Sequence, residues 1–73
     1  MKTYKQFTEE FWISWKLIKE QGHLRLGQYY FNELYKENPK LANRIRATEY
    51  DMFYNDDRLS YSLGYIYDNW DKN

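Results

Sequence analysis

This sequence predicts an all-α fold, and three observations carry the prediction. Phe7, Phe11, Trp15 and Ile18 recur at spacings of four, four and three, the period of one helix face. Leu59, Leu63, Ile66 and Trp70 repeat the pattern near the other end of the chain. Between them the only proline follows an asparagine, Asn38-Pro39, the arrangement that closes one helix and caps the next. The expected architecture is one domain over residues 1–73, a small bundle of three longer helices and a short one around an aromatic-rich core.

The first helix is expected within residues 3–21. Thr3 with Gln6 fits a capping box, and Thr8 with Glu9 and Glu10 offers a later start. Trp12 and Ile13 widen the apolar stripe to either side, so this helix reads as the most buried. Gly22 is placed to take a left-handed conformation and end it. The lone His23 has no second histidine or cysteine to complete a zinc site, and reads as a loop residue.

The second helix is expected over residues 24–37, with Gly27, Phe31, Leu34 and Tyr35 on one face. A glycine there weakens the helix by up to ~1 kcal/mol, so Gly27 is expected to mark the close approach of another helix, under a tryptophan of the first. Tyr29 and Tyr30 cannot both point inward beside Phe31, so at least one is expected to flank the core. Gln28 and Asn32 share a face, where amides meet either water or a partner.

Pro39 opens the short third helix with Asn38 as its N-cap, and Leu41, Ala42 and Ile45 form its apolar edge. Lys36, Lys40, Arg44 and Arg46 make a basic face that either pairs with acidic neighbours or meets a phosphate or carboxylate. Residues 47–57 are too irregular for a helix and are expected to fold back, plugging a gap with Phe53 and Tyr54. Asp51, Asp56 and Asp57 lack the spacing of a calcium loop and read as capping residues. The last helix starts after Asp56 or Asp57. In it, Gly64 suggests close packing, Tyr61 and Tyr65 share a neighbouring face as candidates for exposed contact, and residues 71–73 are expected to fray. Trp12, Trp15, Phe31, Leu34, Ile45, Leu63 and Ile66 are the expected core.

Composition narrows the function. The chain has no cysteine, so neither disulfides nor thiolate metal sites support a core this small. Nine tyrosines, three tryptophans and four phenylalanines compensate, but nine phenols are more than such a core can satisfy. Some should form an exposed aromatic surface of the kind that anchors partners.

The net charge is zero but unevenly spread. Residues 1–46 hold nine basic and five acidic side chains, residues 47–73 two and six. The halves either complement each other within the domain or form a split docking surface. Neutrality argues against both a general DNA binder and an acidic DNA mimic. No apolar run suits a membrane span, and residues 1–7 lack a signal-peptide core. A soluble, cytosolic chain is expected.

The segments Arg25-Leu26-Gly27-Gln28, Phe31-Asn32-x-Leu34, Pro39-x-Leu41-Ala42, Ile45-Arg46-x-Thr48 and Asp51-x-Phe53-Tyr54-x-Asp56 resemble a motif of short uncharacterised proteins of bacteria and their phages. Its form is RxGQxxFNxL…PxLAxxIRxT…DxFYxDxR, and it covers about half the chain. The resemblance implies a shared fold and a bacterial or phage setting, with the host cytoplasm as location if phage-encoded. It brings no activity with it.

Three functional readings follow. The first is a small non-enzymatic protein that occupies a surface on a larger protein partner, with Gln28, Tyr29, Tyr30, Lys40, Arg46, Tyr61 and Tyr65 as contact residues. The second is a nucleotide or short nucleic-acid binder that stacks bases on tyrosines and holds phosphates with the cations of residues 36–46. An enzyme is the third and weakest, since no cysteine nucleophile, HExxH, GxSxG or phosphate loop occurs. No cofactor or metal is expected. A homodimer that hides the aromatic excess in a two-fold interface is a separate possibility.

Overall fold

Thr3 opens the first helix as the sequence predicts. Its hydroxyl accepts from the Gln6 amide at 3.1 Å, while the Gln6 side chain accepts from the Thr3 amide at 3.0 Å. A computed structural model describes residues 1–72 and is all-α: α1 (Tyr4–Ile18), α2 (Leu26–Glu37), α3 (Pro39–Ile45) and α4 (Arg58–Asn69). A single 3-10 turn, Lys19–Gln21, follows α1 and ends at Gly22 in the left-handed region (φ 71°). Residues 71 and 72 lie beyond α4, and Asn73 is outside the described residues.

Asn38 makes the tight α2–α3 corner. Its side-chain oxygen accepts from the Leu41 amide at 3.3 Å, its side-chain nitrogen donates to the Trp70 carbonyl at 3.1 Å, and Pro39 occupies the first helical turn. One buried side chain thus caps α3 and ties it to the end of α4. Trp70 continues the junction: its indole N–H donates to the Lys2 carbonyl at 2.9 Å, and its ring lies 5.1 Å from Phe7 and 5.7 Å from Tyr4. The Lys2 amide meets Glu37 at the end of α2, whereas Trp15 stacks on Tyr29 nearer its start. The helices α1 and α2 therefore run antiparallel.

The core follows α2 rather than α1. Only Phe7 and Phe11 of α1 are buried, against Gly27, Tyr29, Tyr30, Phe31 and Leu34 of α2. This corrects the expectation that the first helix is the most enclosed: α1 packs along one side, while α2 has α1 on one flank and α3 with residues 47–57 on another. Phe31, Leu34, Ile45 and Ile66 are core residues as expected. Trp15 and Leu63 pack against the core while only partly buried. Trp12 is 36% exposed and is not a core residue. Its place is taken by Trp70, Tyr30, Leu41 and Met52.

Both expected close approaches need correction. A Cβ on Gly27 would collide with the Met52 carbonyl, so its neighbour is an irregular segment and not a helix. Gly64 has nothing within 4 Å of where a Cβ would stand. Nor does Tyr54 plug a gap: Met52 does so, completely buried, while Tyr54 is 82% exposed.

Candidate functional site

Residues 47–57 owe their position to a bond the local sequence does not announce. Arg25, the N-cap of α2, provides no side-chain cap. Asp56 supplies one from 29 residues away, its carboxylate accepting the Gly27 amide at 2.8 Å. The amide is one of the orphan donors of a helix N-terminus, where a negative charge is also favoured by the helix dipole. Only glycine fits, because the Met52 backbone lies against it. Beside this contact the Arg25 guanidinium donates to the Phe53 carbonyl at 2.8 Å.

Further bonds shape the segment internally. Asp51 accepts from the Ala47 amide at 2.7 Å and from the Phe53 amide at 2.9 Å. The first holds Ala47 in the left-handed region (φ 61°) just past α3. Asp57 stands at the N-cap position of α4, but its side chain caps nothing there. Among the three aspartates, capping is therefore the work of Asp51 and Asp56. The string Arg25-x-Gly27 and the string Asp51-x-Phe53-Tyr54-x-Asp56 meet each other in space.

The docked segment and α2 enclose an open groove of about 620 Å³. Phe31, Tyr35, Phe53 and Tyr54 form much of its wall, with the edge of Tyr29 and with Leu24 at one side. Phe53 packs edge-on against Phe31 (5.8 Å) and Tyr54 (4.7 Å). Four charged side chains share the lining: Glu33, Lys36, Arg46 and Asp51. Lys36 pairs with Glu33 at 3.0 Å, a bond that raises its pKa above the ordinary lysine value. Asp51 is engaged with loop amides, as above.

Arg46 differs from both. Its guanidinium lies 5.6 Å from the Phe31 ring centre and 5.4 Å from that of Tyr35, with no hydrogen bond or acidic partner among the described residues. The one-residue corner at Asn38 brings the end of α3 back beside α2, which is how residue 46 reaches residues 31 and 35.

The contact residues expected from sequence do not form one site. Tyr29 and Tyr30 are both buried, together with Phe31, because neighbours flank α2 on more than one side. Tyr29 is stacked between Phe11 (5.3 Å) and Trp15 (5.7 Å), leaving only an edge for the groove. Tyr30 is fully enclosed by edge contacts with Phe11 (4.7 Å) and Phe7 (5.6 Å) and presents no surface. Its hydroxyl has no hydrogen-bond partner among the described residues, and burial, then proximity to Tyr4, pushes its pKa far above the ordinary value.

Arg46 lines the groove, but Gln28 and Lys40 do not. Tyr61 and Tyr65 stack on Tyr50 at 5.2 and 4.1 Å, a second aromatic surface away from the groove. A hydrogen bond with Tyr61 is the main cause that raises the Tyr50 pKa.

The expected pairing between the basic face and the acidic half does not occur among the described residues. Arg44 donates to the Lys72 carbonyl at 2.9 Å, and Lys36 pairs within its own helix. Nothing in the sequence marks Tyr35 and Tyr54 as site residues, since the first shares the apolar face of α2 and the second reads as a gap-filler. Their exposure, 43% and 82%, depends on where residues 47–57 dock.

Among the described residues no group of three or more potential metal ligands occurs, and no helix is long and apolar enough to cross a membrane. No protein-family model, curated protein or solved structure matches the chain.

Proposed function

We propose that this chain is a non-enzymatic binding protein that engages a larger protein partner through the groove between α2 and residues 47–57. The supporting observation is the groove's wall: exposed Tyr35 and Tyr54 beside Phe31, Phe53 and an Arg46 without an acidic partner among the described residues. Concave surfaces with aromatic and arginine anchors concentrate binding energy. In the bacterial or phage setting suggested by the sequence resemblance, the corresponding role is modulation or inhibition of a host protein by occupying its surface.

A nucleotide reading has one observation in its favour, since Lys36 and Arg46 stand near stackable tyrosines. Glu33 and Asp51 line the same groove and would repel a phosphate, which favours the protein partner.

Comparative affinity capture from bacterial lysate tests the proposal. The wild-type chain is expected to retain a protein that Tyr35→Ala and Tyr54→Ala lose and Tyr61→Ala keeps. A retained set that is identical for wild type and both groove variants contradicts it. Light scattering across a concentration series addresses self-association, for which the exposed Ile13 and Leu17 of α1 are the available aliphatic surface.

A further inference from the structure

The four arginines divide unequally. Arg25, Arg44 and Arg58 each donate to a backbone carbonyl, of Phe53, Lys72 and Thr48 respectively. Arg46 makes no such bond among the described residues, yet its guanidinium has a defined place over the rings of Phe31 and Tyr35. A cation over ring faces in this way is held by the rings and not by an acceptor, so the N–H donors of the exposed Arg46 stay available, and a guanidinium matches a carboxylate in two parallel hydrogen bonds. The other charges of the groove are answered: Lys36 by Glu33, and Asp51 by the amides of Ala47 and Phe53. Among these charged groups of the lining, the unused hydrogen-bonding capacity is therefore that of the Arg46 guanidinium, and it sits among aromatic rings.

We propose that Arg46 is the specificity anchor of the groove, and that it receives an aspartate or glutamate side chain lying next to a large apolar side chain in an exposed segment of a partner protein. This rests on the groove being the binding surface. The carboxylate takes the available guanidinium donors, while the adjoining apolar side chain covers Tyr35 and Tyr54. A lysine-rich or phosphate-bearing segment fits less well, since the first would face Arg46 and the second would bring about two negative charges, against a carboxylate's one, beside Glu33 and Asp51.

The test uses two end-blocked peptides, acetyl-Ala-Phe-Glu-Leu-Ala-amide and its glutamine counterpart, titrated into the isotopically labelled full chain and followed by NMR. Blocked ends leave the side-chain carboxylate as the only charge. The glutamate peptide is expected to shift the Arg46 side-chain N–H and the Tyr35 and Tyr54 signals, binding about 3–10-fold more tightly than the glutamine peptide. Arg46→Gln is expected to abolish that difference, Arg46→Lys to keep part of it, and Arg44→Gln to leave it unchanged. The unbound spectrum of each variant reports whether the fold is retained.

Equal affinity for the two peptides, with shifts still confined to the groove, overturns the carboxylate assignment and leaves the groove standing. An absence of groove shifts with either peptide at millimolar concentration overturns both. A preference for glutamate that survives Arg46→Gln places the anchor elsewhere and refutes the role of Arg46.

Discussion

Replacing Asp56 separates the two contributions of the bond that docks residues 47–57. Asp56→Ala removes both the acceptor of the Gly27 amide and a negative charge at the N-terminus of α2. Loss of an N-cap acceptor costs ~0.5–2 kcal/mol, and loss of favourable charge at a helix terminus a further ~0.3–1 kcal/mol. A combined loss of about 2 kcal/mol is a large share of the roughly 4–11 kcal/mol available to a domain of this length. At ~4–8 °C per kcal/mol for domains of this size, the melting temperature should fall by roughly 8–16 °C. Asp56→Asn keeps an acceptor oxygen and loses only the charge, so its fall should be roughly 1–8 °C and smaller than that of the alanine variant. Thermal denaturation followed by circular dichroism measures both. An Asp56→Ala variant that melts within about 1 °C of wild type, or an asparagine variant as destabilised as the alanine one, would refute the capping argument.

The same substitution at two glycines should have opposite signs. Gly64→Ala, mid-helix and exposed with open space around it, is expected to stabilise by ~0.5–1 kcal/mol. Gly27→Ala must displace the Met52 backbone, and overpacking of this kind costs ~1–3 kcal/mol; urea denaturation distinguishes the two. Tyr30→Phe should stabilise by about 1 kcal/mol, because it removes a buried hydroxyl without a partner among the described residues. It should also flatten the alkaline limb of the stability profile. Tyr30 has a raised folded pKa, so its contribution is complete below about pH 10 and is lost as the pH rises above that value. Denaturation at pH 9 and pH 11 measures this loss. Some dependence should persist in the variant through Tyr50, shifted in the same direction.

The parts of the fold legible in the sequence are those set by local chemistry. Thr3 and Gln6 cap each other three residues apart, and Asn38 caps the helix it precedes. Gly22 ends its turn with its own backbone. What was illegible depends on partners distant along the chain. Gly27 and Gly64 look alike in a helical pattern, and only the arrival of Met52 and Asp56 makes the first indispensable. Tyr29 and Tyr30 look like surplus phenols until α2 acquires neighbours on more than one side. Trp12 and Trp70 exchange expected importance for a similar reason, since the end of α4 returns to Lys2 and Asn38.

The groove was half visible. In the sequence Arg46 belongs to a basic face, but that face does not exist as a unit in the structure. Arg44 turns to the Lys72 carbonyl and Arg46 to two rings. Phe31 and Tyr35 share a helix face in the sequence pattern and both line the groove, although Tyr35 is exposed and not part of the core. The wall opposite them needs residues 47–57 in place, and a bond spanning 29 residues puts them there.

Site-specific photocross-linking tests the groove as the partner surface most directly. A benzophenone side chain would be introduced at Tyr54 in the groove, at Tyr61 on the other tyrosine surface and at Ile13 on the outer face of α1, and each chain irradiated in bacterial lysate. The expected result is a discrete protein adduct from position 54 that weakens when Arg46→Gln is added, with none from positions 61 and 13. Adducts from position 61 or 13 with none from position 54 would contradict the assignment of the groove.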